Sequence, residues 1–103
     1  MRKPHSPFLA SIYEQMLMLR YAMATVEAYL HWIKAFIRFS RMKHPVELGE
    51  AEVQQFLSYL VTERHVAVKT QALALNALVF LYRTVLLRPL QLEMKFTRSQ
   101  RPP

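Results

Sequence analysis

T-V-E-A-Y-L-H-W-I-K-A-F-I-R-F-S-R, residues Thr25–Arg41, decides how the chain is read. At about 100° per residue, Val26, Tyr29, Ile33, Phe36 and Ile37 fall within one arc of a helix. Glu27, His31, Lys34, Arg38 and Arg41 fall within a narrow arc on the opposite side, while Trp32 and Phe39 flank the apolar one. The pattern predicts an amphipathic helix over residues 23–42. Its charged side is nearly one-signed, since only Glu27 opposes the cations. A face built only for solubility mixes signs more often, so the stripe His31, Lys34, Arg38, Arg41 reads as a surface for a polyanion rather than a merely solvated one.

The composition around this helix agrees. The 103 residues carry 14 Lys and Arg against 7 Asp and Glu, a net charge of +7. That length makes one domain, and that charge is the footprint of a domain that meets nucleic acid or an acidic membrane surface. There is no Cys, which excludes a disulfide framework, a thiolate metal site and a cysteine nucleophile. The longest apolar run, Ala77 to Tyr82, is too short to span a bilayer, and the polar start M-R-K-P-H-S-P has no signal-peptide core. The expected setting is the cytoplasm.

One Gly and six Pro, at positions 4, 7, 45, 89, 102 and 103, leave long stretches without helix breakers. A first helix is predicted over residues 6–20, with Leu9, Ile12, Met16 and Leu19 on one face and Phe8, Tyr13, Leu17 and Met18 widening it. A third is predicted over residues 49–64. Gly49 caps it, Glu52 sits at the third helical position, and Leu48 and Val53 can form a hydrophobic staple. Its buried stripe is Val53, Phe56, Leu57, Leu60 and Val61. Glu47, Glu50, Glu52 and Glu63 make it the helix that should point away from a polyanion. The fourth, over residues 68–87, lines up Gln71, Leu75, Leu78, Tyr82 and Val85. Lys69, Asn76 and Arg83 recur seven apart on another side that Leu73 and Phe80 share, so this helix is apolar almost all round. Residues 88–103 read as the start of an interdomain linker.

Chemistry is excluded more readily than proposed. His5, His31, His44 and His65 lack the spacing that would place two ligands on one helix face, so no metal is expected. A single Gly rules out a Gly-rich phosphate loop, and no cofactor or small-molecule substrate is implied. Lys69 and Thr70 fall in the first turn of the fourth helix, where backbone N–H groups favour a phosphate. They serve there either as a phosphate seat or as a simple cap.

Three segments in this order, T-V-E-A-Y-L-H-W-I-K-A-F-I-R-F-S, H-P-V-E-L-G-E-A-E-V-Q-Q-F-L-S-Y-L and V-K-T-Q-A-L-A-L-N-A-L-V-F-L-Y-R-T-V-L, carry a resemblance. Over residues 9–94 the chain resembles the N-terminal core-binding, SAM-like domain of the tyrosine recombinases of the phage-integrase family, most closely that of integron integrases. The resemblance implies an all-α, compact four-helix bundle over residues 1–87. With a following catalytic domain, such a bundle clamps a double-stranded DNA recombination site. In that family the second and fourth helices face the duplex. Carried over position by position, this assigns DNA contacts to Thr25, His31 and Lys34, and to Lys69, Thr70, Gln71 and Asn76. It also implies partner protomers in a synaptic complex, for which Phe8, Tyr13 and Met18 are the candidate contacts.

The chain departs from the family pattern in three places. Ala22 replaces the usual capping Ser of the second helix, Ala24 replaces an Arg, and Leu73 stands where a polar Gln is common. The family's catalytic Arg, Lys, His and nucleophilic Tyr belong to the C-terminal domain. On the resemblance, this stretch binds DNA without cutting it, and none of its tyrosines is a nucleophile. The rival readings are a helical protein-interaction module with a solvated basic face and a membrane-surface binder. The second is weakened because the aromatics of residues 25–41 have a core to fill.

Overall fold

A computed structural model describes residues 6–91. Helix α1 spans Pro7–Met18, α2 Met23–Phe39, α3 Glu50–Thr62 and α4 Val68–Phe80, with a short 3-10 turn at Pro45–Glu47. The all-α, four-helix prediction is met. Helix α4 does not run unbroken to residue 87, however: beyond Phe80 it widens into a π-helical segment, Leu81–Val85.

Local chemistry accounts for the starts. The Ser6 hydroxyl accepts from the Leu9 N–H, and Pro7 occupies the first helical position, where a missing N–H costs nothing. At α3 the Glu52 carboxylate accepts from the Gly49 N–H at 2.8 Å, and Leu48 and Val53 are both buried, as a staple requires. Helices α2 and α4 begin at Ala22 and Ala67, neither of which supplies a side-chain cap.

The ends are less ordinary. Helix α1 closes with Arg20 N–H donating to Leu17 O and Tyr21 N–H to Met16 O; α2 closes with Arg41 N–H donating to Arg38 O and Met42 N–H to Ile37 O. Both are Schellman closures. The left-handed position in each, normally a glycine, is held by Arg20 (φ 66°) and Arg41 (φ 60°). Helix α3 is followed by a left-handed His65 (φ 55°), and the π segment by Leu87 (φ 55°).

Helix α2 is the hub and packs against each of the other three. Its Val26, Leu30, Ile33 and Phe36 are fully buried with Ile12 and Met16 of α1, Phe56, Leu57 and Leu60 of α3, and Ala74, Ala77 and Leu78 of α4. Tyr29 meets Phe80 at a ring separation of 5.8 Å, so the C-terminal end of α4 lies against the N-terminal half of α2. Phe36 and Phe39 stack on Phe56 at 5.5 and 5.3 Å, which seats α3 against the other half. Two residues expected inside are outside: Val61 is 40 % and Leu19 50 % exposed. Val61 is nearly at the end of α3, and Leu19 caps α1 rather than continuing it.

The π segment and the chain beyond it are tied back to the bundle. The Tyr82 hydroxyl donates to Pro45 O at 2.7 Å. The Arg88 guanidinium lies 5.1 Å over the Tyr82 ring and donates to Leu48 O. The Gln91 N–H donates to the Glu50 carboxylate at 2.9 Å, which holds that carboxyl below the usual range. Residues 88–91, expected as linker, are thus anchored on the bundle, and residues 92–103 lie outside the described residues.

Candidate nucleic-acid interface

The α2 core is complete without any help from its charged residues, and Glu27, His31, Lys34 and Arg38 are all exposed. They project opposite Ile33 and Phe36, at successive turns of about 5.4 Å. The stripe faces away from α4. Lys34 and Arg38 border a small cavity of about 110 Å³ together with Leu9 of α1, Ile37 and Met42. The His31 ring stands edge-on to Trp32 at 4.7 Å.

Thr25 sits elsewhere. It is half-buried and falls within about 40° of Tyr29 on the helical wheel, on the seam where α2 meets α4. On α4, Lys69 and Asn76 are exposed and lie within about 40° of Phe80, which places them along the same seam. Phe80 itself is 2 % exposed, because Tyr21 and Tyr29 cover it at 5.5 and 5.8 Å. Phe80, on the polar side of α4, is therefore a contact with α2 rather than an exposed apolar residue. Thr70 is half-buried in the first turn, on a different side from Asn76. Ala24, Ala28 and Ala35 lie in the arc of α2 between Thr25 and His31, together with Trp32 and Phe39.

Two of the nominated residues are misplaced by the sequence reading. Gln71 is 2 % exposed, and its amide Nε2 donates to Leu57 O at 3.0 Å, so it ties α4 to α3 rather than lying on the surface. Arg41 is exposed but lies beyond the end of α2, where the left-handed turn takes it off the helical stripe. It borders instead a groove with Lys43, Phe39, Gln55 and Glu52.

One cationic residue was missed. Arg64, just past the end of α3, is exposed and lines a groove with Arg38 of α2. The only sequence signal was a basic residue at a helix C-terminus, which the four glutamates of that region masked. Two tyrosine hydroxyls are shifted, both upward. Burial pushes the Tyr82 hydroxyl up to about 12, against the lowering pull of Arg88. Tyr29 is also raised, by burial first and by Tyr21 second, with Arg83 opposing. A nucleophile needs the opposite shift.

The geometry defines a class: a small helical domain with a finished core and a cationic exterior concentrated on α2, the α2–α4 seam and the end of α3. Residues 8–92 match the family model described as phage integrase, N-terminal SAM-like domain, and the chain belongs to that family. A protein from Escherichia coli named integrase/recombinase is 47% identical over 78 residues, and one of the same name from Pseudomonas aeruginosa matches equally. Each alignment covers 76% of this chain but 23% of the relative, so the chain spans about a quarter of the length of those proteins.

Proposed function

We propose that this domain is the DNA-binding, core-binding part of a site-specific tyrosine recombinase of the integron-integrase kind, holding one side of a double-stranded recombination site. The carrying observation is that His31, Lys34 and Arg38 are exposed on a helix whose opposite face is fully packed, so nothing in the fold requires them. Lys69, Asn76 and Thr25 extend the contact along the α2–α4 seam, and Thr70 adds an N-terminal backbone site. Phosphate contacts would supply most of the affinity, with few base contacts. Strand cleavage would belong to a separate catalytic domain, in keeping with the raised hydroxyls of Tyr29 and Tyr82. Acting on DNA places the protein in the cytoplasm; no described helix is long and apolar enough to cross a membrane.

Fluorescence anisotropy with a labelled duplex tests this reading. Affinity should fall linearly in log-log form with salt, with a slope of about 0.9 for each phosphate neutralised. No binding at low salt would refute it.

A second surface suits partner protomers. Met18 is 82 % exposed, and Leu17, Leu19 and Met23 are exposed beside it, while Phe8 and Tyr13 are half-buried against the core. Met18 is therefore the member of the expected trio with a free side chain. In the full-length recombinase, Met18→Asp should impair synapsis while leaving binding to a single site unchanged.

A further inference from the structure

Between α2 and the end of α3 runs a groove of about 280 Å³, walled by Ala35, Phe39, Tyr59 and Leu60 and flanked by Arg38 on one side and Arg64 on the other. No carboxylate lines it. Glu63, the acid next in sequence to Arg64, lines a different groove with Gln54, Ser58 and Thr62. Two arginines therefore border a recess whose remaining walls are largely apolar. Such walls concentrate the field of one-signed charge and select an anion.

The backbone that carries Arg64 is fixed. Its N–H donates to Tyr59 O at 3.2 Å and the Val66 N–H to Leu60 O at 3.0 Å, with His65 left-handed between them. The partial negative charge of the α3 C-terminus favours a cation there. Arg38 in turn is one turn, about 6 Å, beyond Lys34 along α2, and it borders both this groove and the cavity beside Lys34. The cationic track that starts at Lys34 thus continues through Arg38 to Arg64, just past a helix whose acidic sequence suggested that it faced away.

We infer that Arg38 and Arg64 together seat one phosphodiester of the DNA backbone in this groove. The inference rests on the DNA-binding reading above and extends it to α3. Charge complementarity argues for the occupant, and the planar guanidinium forks suit the oxygens of a phosphate. A protein carboxylate is the competing occupant, and the test distinguishes it.

The test measures anisotropy with a labelled duplex of random sequence between about 50 and 200 mM salt for wild type, Arg64→Gln, Arg38→Gln, the double variant, Arg64→Lys and Lys34→Gln. Arg64→Gln should weaken binding about three- to tenfold and flatten the salt slope by up to ~0.9. Arg64→Lys should keep the slope while losing part of the affinity. The double variant should bind better than the product of the two single losses, because both side chains hold the same phosphate. All of the variants should stay folded, with melting curves close to wild type, since Lys34, Arg38 and Arg64 are exposed. If Lys34→Gln weakens binding and Arg64→Gln does not, the groove holds no DNA phosphate, a protein carboxylate becomes its candidate, and the inference fails while the DNA-binding reading stands. If the two arginine losses multiply, they touch different groups and the shared seat is refuted. If wild type binds no duplex, both readings fall together.

Discussion

Replacing Tyr82 with Phe removes one hydroxyl and leaves the ring in place, so no cavity opens. The hydroxyl donates to Pro45 O at 2.7 Å, and both residues are buried. At neutral pH the loss is the hydrogen bond plus an orphaned carbonyl, about 1–3 kcal/mol, a substantial share of the ~5–15 kcal/mol by which such domains are stable. Alkaline pH reverses the comparison. Burial raises the hydroxyl from 10.0 to about 12, with Glu52 and Glu50 adding to the rise and Arg88 opposing it. A group whose folded pKa is raised stabilises the fold fully below its unfolded pKa, and loses that contribution as pH climbs through the folded value. Wild type should therefore lose on the order of 1–2 kcal/mol through this group as pH climbs from 10 toward 12, and Tyr82→Phe should not. Urea unfolding of both proteins, followed by circular dichroism from pH 7 to 12, isolates the effect, because the lysines and remaining tyrosines cancel in the difference. The wild-type advantage should shrink above pH 10 and vanish or reverse near pH 12. A pH-independent difference would refute the placement of Tyr82 as a neutral, buried donor to Pro45.

Restoring a cap with Ala22→Ser should stabilise α2 by about 1 kcal/mol, read as a rise of roughly 4–8 °C in melting temperature for a domain of this size. Arg20→Gly relieves a left-handed residue and should add about 1 kcal/mol in urea unfolding; an unchanged midpoint would mean that the arginine earns its place through a contact. Gln71→Ala should cost about 1–3 kcal/mol in stability yet leave the affinity of the folded domain for DNA as it was, whereas weaker binding by the folded variant would return Gln71 to the interface. The Glu50 carboxyl, held low by the Gln91 N–H, should release that amide once it is protonated. The hold is present above the ordinary value of 4.5 and lost as pH falls through the lower folded value. Amide-exchange protection at Gln91 should fall accordingly, and Glu50→Gln should remove the pH dependence.

Where residue chemistry and periodicity act over short distances, the sequence is transparent. The α3 start was readable from Leu48, Gly49, Glu52 and Val53, because every partner lies within five residues. The α2 core was readable apart from Leu30, which is buried because α2 has neighbours on several sides and so hides a wider arc than a single-sided helix does. The helix ends were not readable, since Arg20, Arg41, His65 and Leu87 adopt a backbone conformation whose usual marker is glycine. Gln71 shows a different failure. Periodicity had placed it on a face with Leu75, Leu78 and Tyr82, and burial follows from that face, whereas the resemblance nominated it as a DNA contact. Arg64 escaped because its relation to Arg38 spans 26 positions and exists only once α3 is laid beside α2.

The π segment Leu81–Val85 sets the phase of everything after it. A π turn takes up about one residue more than an α turn. Without that residue the chain would arrive at Arg88 rotated by about 100°. Arg88 would then miss the Leu48 carbonyl, and Gln91 would miss Glu50. A one-residue deletion within Leu81–Val85 could leave the four-helix core intact and still change the bearing on which the polypeptide departs from it. The outgoing strap depends on the length of that turn as well as on Tyr82, whose ring lies under Arg88.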